Sequence, residues 1–70
     1  MEAEEALDKA IEFLEKRAGY YFHRLESISL KEGVWIIRFD VGIFAKEVVE
    51  VRIDDKTGRV IGFGKISRGA

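Results

Sequence analysis

The sequence predicts an α+β domain: an N-terminal helix packed on one face of a four-stranded antiparallel meander, in the order α-β-β-β-β. Three observations predict it. Apolar residues in the first part of the chain recur every three or four positions, those in the remainder alternate every two, and short glycine-bearing turns separate the alternating runs. The length, 70 residues, is that of one domain spanning 1–70, with no linker, repeat or low-complexity segment.

Ala3 to Ala18 reads as one amphipathic helix. Ala3, Leu7, Ala10, Ile11, Leu14 and Ala18 fall on one stripe, widened on a flank by Ala6 and Phe13. Glu2, Glu4 and Glu5 stand at the positive end of the helix dipole, and Lys16 and Arg17 at the negative end. Glu5–Lys9 and Glu12–Lys16 are favourable i,i+4 pairs, and Gly19 follows as the stop.

Beyond Gly19 the period drops to two. Tyr20 to Leu30 reads as a strand whose alternation slips between Leu25 and Ile28, which signals a bulge or a late start. Lys31-Glu32-Gly33 reads as a hairpin turn. Val34 to Val41 follows as a strand with Trp35, Ile37, Phe39 and Val41 on one face and Val34, Ile36, Arg38 and Asp40 on the other. Gly42 marks a bulge or loop before a strand from Ala45 to Asp54, and Asp55-Lys56-Thr57-Gly58 is a turn. Val60 to Ile66 closes the meander. Gly62 and Gly64 within it suggest a bulge, or a bulky neighbour such as Trp35 lying against bare backbone.

Composition narrows the classes. A chain that is 47% hydrophobic and 36% charged is globular, although at 8.0 kDa it buries only roughly 60% of its unfolded surface. With no cysteine, no disulfide supplements that core. Asn, Gln, Pro and Cys are all absent while Glu, Lys, Arg, Ile and Val abound, a pattern expected of a thermophile. The acidic start is unlike a secretory signal, and the longest apolar run, Val34–Ile37, is too short to span a bilayer, so a cytoplasmic chain without a membrane partner is expected.

The meander in which Val49-Glu50-Val51-Arg52-Ile53-Asp54 runs into Asp55-Lys56-Thr57-Gly58-Arg59-Val60 resembles the PepSY-type domain. That resemblance implies a small cystatin-like α+β fold and a role in peptidase inhibition or extracytoplasmic regulation. The acidic start departs from the export signal such domains usually carry. Trp35, Glu50-Val51, Ile53-Asp54, Gly58, Gly62-Phe63, Lys65 and Arg68 are similar to the C-terminal pattern of the gas-vesicle accessory protein O family. This second resemblance implies a role in assembling a protein shell, and the proline-containing segment of that family is absent here. No functional residue is carried over from either.

Residue chemistry points away from catalysis. His23 is the one histidine and Cys is absent, which excludes His/Cys zinc sites and Cys–His dyads within one chain. Neither a metal nor another cofactor is expected. Asp54 and Asp55 read as turn residues, and His23 as a strand-edge or partly buried histidine. Gly58 to Ser67 mimics a phosphate loop but lacks its spacing and the following helix. Arg24, Arg38, Arg59, Lys65 and Arg68 could with the aromatics bind single-stranded nucleic acid, against a net charge of −1 and interleaved acids.

The stronger signal is surplus hydrophobicity. One helix covers one face, yet Val34-Trp35-Ile36-Ile37 and Val48-Val49 are apolar on both. Leaving about 400 Å² of apolar face in water forgoes roughly 10 kcal/mol at 25 cal/mol per Å². The sequence therefore predicts a small non-catalytic interaction or assembly module, a homodimer or a binder of a protein partner, with Val34, Ile36, Arg38 and Val48 on the docking face. A nucleic-acid module and a peptide or small-molecule binder are the alternatives.

Overall fold

The computed structural model describes residues 1–66. It has the expected α+β architecture: a helix over one face of a sheet in the order β1-β2-β3-β4, all neighbours antiparallel. The helix α1 runs Ala3–Phe13 and its last turn, Leu14–Ala18, widens to π geometry. The strands are β1 Arg24–Lys31, β2 Val34–Asp40, β3 Val48–Asp54 and β4 Val60–Lys65.

The helix buries Ala6, Ala10 and Leu14 completely, with Leu7, Ile11 and Phe13 half-buried beside them. Ala3, expected on the buried stripe, is exposed. The stripe is thus rotated so that small Ala6 and Ala10 form its centre, which lets the backbone approach the sheet closely while larger side chains reach past both flanks. Of the two i,i+4 pairs expected, Glu12–Lys16 closes at 3.6 Å and Glu5–Lys9 makes no salt bridge. The N–H groups of Gly19 and Tyr20 both converge on the Leu14 carbonyl, one residue further back than in an ordinary helix stop. Gly19 takes φ +80°, a left-handed conformation that costs glycine little. The wide turn keeps Leu14 inside and brings the Tyr20 ring to 6.4 Å from Phe63.

On the helix side of the sheet lie Trp35, Ile37 and Phe39 from β2 and Val49, Val51 and Ile53 from β3, all buried and paired across the strands. Ile28 of β1 and Val60 of β4 pack against this core from either side. The alternation predicted for β2 is the alternation observed. Trp35 carries the one polar atom in this layer, an indole N–H that donates to Asp55 Oδ1 at 2.7 Å. Asp55, read from sequence as a turn residue, therefore also satisfies a buried donor. Its own N–H donates to the Gly33 carbonyl at 2.9 Å, joining the β1–β2 turn to the β3–β4 turn.

Two strand starts differ from expectation by several residues, and β1, β2 and β4 each end one residue away from the expected end. β1 starts at Arg24, not Tyr20, because its partner β2 ends at Asp40, opposite Arg24, and the four preceding residues have nothing to pair with. The expected slip is there: Leu25 pairs with Phe39 and Ser27 with Arg38, leaving Glu26 as a bulge. β3 starts at Val48, not Ala45. The Asp40 carboxylate accepts from the N–H of Gly42 at 3.0 Å and of Glu47 at 3.1 Å, and Val41 N–H donates to the Glu47 carbonyl. The chain from Gly42 to Glu47 is folded back on itself by those bonds and leaves the ladder. Both expected turns form, with Glu32 and Gly33 at φ +50° and +78° and the Asp54 carboxylate accepting from Thr57 N–H at 2.8 Å.

Leu14 is the largest fully buried side chain of the helix, so Leu14→Ala should lower unfolding free energy by roughly 2–5 kcal/mol in urea titration, through lost transfer energy and a residual cavity. Ala3→Ser should change it by less than about 0.5 kcal/mol, because that position faces water.

Candidate interaction surfaces

The face of the sheet away from the helix bears Val34, Ile36, Arg38 and Asp40 from β2 and Val48, Glu50, Arg52 and Asp54 from β3. All four residues expected on a docking face share it. Val34 and Ile36 are half-buried, the Arg38 side chain is 47% exposed, and Val48 is buried beside Asp40. At its centre Glu50 is held between two arginines, accepting from Arg38 Nε at 2.9 Å and from Arg52 Nη1. Burial alone would raise the Glu50 carboxyl. The Arg38 and then the Arg52 hydrogen bonds outweigh it and hold that pKa below its usual range.

The glycines of β4 belong to the same arrangement. Gly62 pairs with Arg52, and a Cβ built there would lie 2.5 Å from Arg52 Nη2. The guanidinium lies across bare backbone. Trp35 is not the neighbour, because it pairs with Ile53 on the helix side while Gly62 is on the open side. Gly64 has nothing within 4 Å of such a Cβ and serves no comparable purpose.

One end of the sheet holds an open groove of about 520 Å³ lined by Arg24, Leu25, Asp40 and the loop carrying Ile43 and Phe44. Its charges pair internally: Arg24 Nη2 donates to Asp40 Oδ2 at 2.6 Å, and Lys46 Nζ lies 3.2 Å from Glu26 Oε1. The backbone N–H groups of Gly42 and Glu47, with Arg24, pull the Asp40 pKa from 3.8 to about 2. A smaller hollow of about 320 Å³ separates the helix from β4 around Lys9, Phe13, Gly58 and Val60.

The large apolar side chains that stay exposed lie along the rims. Leu25 and Leu30 are on β1, Ile61 and Phe63 on β4, Tyr21 and Phe22 precede β1, and Ile43 and Phe44 occupy the β2–β3 loop. Phe44 is fully exposed. His23 is partly buried, its Nε2 2.9 Å from Glu15 Oε2 and its ring edge-on to Phe39. Among the described residues no three His, Cys, Asp or Glu side chains converge as a metal site, and no helix is long and apolar enough to cross a membrane. Ser67 and Arg68, considered above for phosphate and nucleic acid, lie outside the described residues. No family model, curated protein or solved structure matches the chain.

Sequence reasoning missed the Glu50 clamp and the Asp40 brace. Each had a signal: Arg38, Glu50 and Arg52 share a face once β2 and β3 are paired, and Asp40 precedes Val41-Gly42, where a loop needs an acceptor.

Asp40 has a depressed folded pKa, so its stabilisation is present above pH 4 and is lost as pH falls from about 4 towards 2. Acid titration of wild type should show that loss, and Asp40→Asn should be less stable at pH 7 with a flatter profile over this window. Gly62→Ala should destabilise by about 1 kcal/mol by displacing the Arg52 guanidinium, and in an Arg52→Ala background that cost should largely disappear, as a double-mutant cycle in urea would read.

Proposed function

We propose that the chain is a small non-catalytic protein-interaction module that self-associates through its sheet. The observation that carries this reading is the distribution of uncovered apolar bulk. Eight large apolar side chains among the described residues, from Phe63 at 38% to Phe44 at 102% exposed, border a sheet that has a layer on one side only. Exposed apolar surface on that scale marks contact sites, and covering it gains about 25 cal/mol per Å².

Three further observations favour a protein partner, and a second copy in particular. A net charge of −1 opposes self-association very little. Arg24, Arg38, Lys46, Arg52 and Lys65 are each engaged by a carboxylate, so a phosphate backbone would have to displace an acid at every one of them. The carboxylates with depressed pKa values, Asp40, Glu50 and Asp54, are tied to backbone N–H groups or arginines and are used up in holding the fold.

Light scattering from ~1 μM to ~1 mM covers the range in which an association of −4 to −8 kcal/mol becomes visible. The mass should rise from that of one chain towards two. A single-chain mass across the whole range removes the reading.

A further inference from the structure

β1 is an edge strand, and every one of its residues is exposed except half-buried Ile28. The two-residue turn Glu32-Gly33 closes on the pair Lys31–Val34, which fixes the direction of the backbone groups behind it. Counting back, Lys31, Ser29 and Ser27 turn their N–H and C=O groups to β2. Those of Leu30 and Ile28 point out to solvent. Native edges are usually blunted by charge, proline or a bulge. Here the bulge at Glu26 lies beyond one end and Lys31 stands at the other, and Ser27-Ile28-Ser29-Leu30 runs uninterrupted between them.

We infer that a second copy of the chain pairs antiparallel along this edge, with the two-fold axis at Ser29, and continues the meander into an eight-stranded sheet. The inference rests on the self-association reading and assigns its surface to the strand edge, where the sequence alone points to the open face. The edge is self-complementary about Ser29. The outward N–H and C=O of Ile28 meet those of Leu30 in the second copy, and the side chains of the same two residues meet on the helix side, where Leu30 is 48% exposed in the single chain. Ser27 comes opposite Lys31, so no like charges face each other within the paired run. Glu26, the extra residue of the bulge, is neutralised by Lys46 at 3.2 Å. The helix leaves room for this. Phe13 reaches β4, its ring 5.2 Å from Phe63, so half-buried Leu7 and Ile11 on the opposite border of its stripe lie towards β1 and extend the apolar strip. β4, the other edge, has no such run among the described residues, since a register shift at Ile61 and two glycines interrupt it.

In a chain without cysteine, Ser29→Cys reads the axis directly. Opposed Cα atoms of a non-hydrogen-bonded pair are about 4.5 Å apart, within disulfide reach. Mild oxidation should link Ser29→Cys into a covalent dimer at least roughly tenfold faster than Ser27→Cys, whose opposite residue is Lys31. Leu30→Lys should weaken dimerisation about tenfold or more by light scattering, an increment of about 1.4 kcal/mol, while Ile36→Glu on the open face leaves it unchanged. Equal crosslinking of the two cysteine variants overturns the edge assignment whether or not Leu30→Lys folds. A dimer that Leu30→Lys spares and Ile36→Glu dissociates also overturns it but keeps self-association through the sheet. A wild-type chain that is monomeric throughout removes both.

Discussion

A single helix is narrower than the sheet it must cover. An α-helix with its side chains is about 10 Å across, whereas four strands at about 4.8 Å spacing extend over some 14 Å between the outer backbones alone. The mismatch decides where the core can be. α1 lies over β2 and β3, whose inward residues are buried almost without exception, and the flanking strands receive only its margins. Phe13 and Tyr20 lean out over Phe63 on one side, and Leu7, Ile11 and Ile28 pack half-buried against the core. Beyond those margins Leu25, Leu30 and Ile61 have no cover. The rims are apolar because the roof is short.

The other face is handled with charge. No layer lies over Ile36 and Glu50, yet Glu50 is only 7% exposed, because the stems and guanidinium groups of Arg38 and Arg52 lie beside it. Long cationic side chains shelter apolar neighbours along their methylenes while their heads remain wet. The arrangement depends on β4 contributing no side chain at Gly62, so a glycine that weakens its own strand makes room for the clamp on the next. Every buried side-chain polar atom among the described residues has a partner, including the Trp35 indole on the helix side of the sheet.

Periodicity made the element order, the strand faces of β2, the slip in β1 and both hairpin turns legible in the sequence. Those features follow from local rules that hold before any tertiary contact forms. The strand ends were not legible, since Tyr20–His23 and Ala45–Glu47 alternate acceptably but have no partner in register, which depends on a neighbour many residues away. The π turn at Leu14–Ala18 has no sequence signature either, since the apolar spacing there is that of an ordinary helix. The surplus of apolar residues was legible, and its location less so. Counting apolar residues on two faces of a strand ignores how far Arg38 and Arg52 can reach over one of them, and how little one helix covers of the edges.

Each strand pairs only with its neighbour in sequence, and this has a kinetic side. The connections to be closed are the Glu32-Gly33 turn, the loop from Val41 to Glu47 and the turn from Asp55 to Arg59, so no pairing awaits a distant segment of chain. The entropy of loop closure grows slowly with length and is small for such spans. The strand pairings are local, but the helix packs on residues of β2 and β3 far along the chain, so the domain belongs with the mixed α/β folds, between helical bundles and all-β barrels in folding rate.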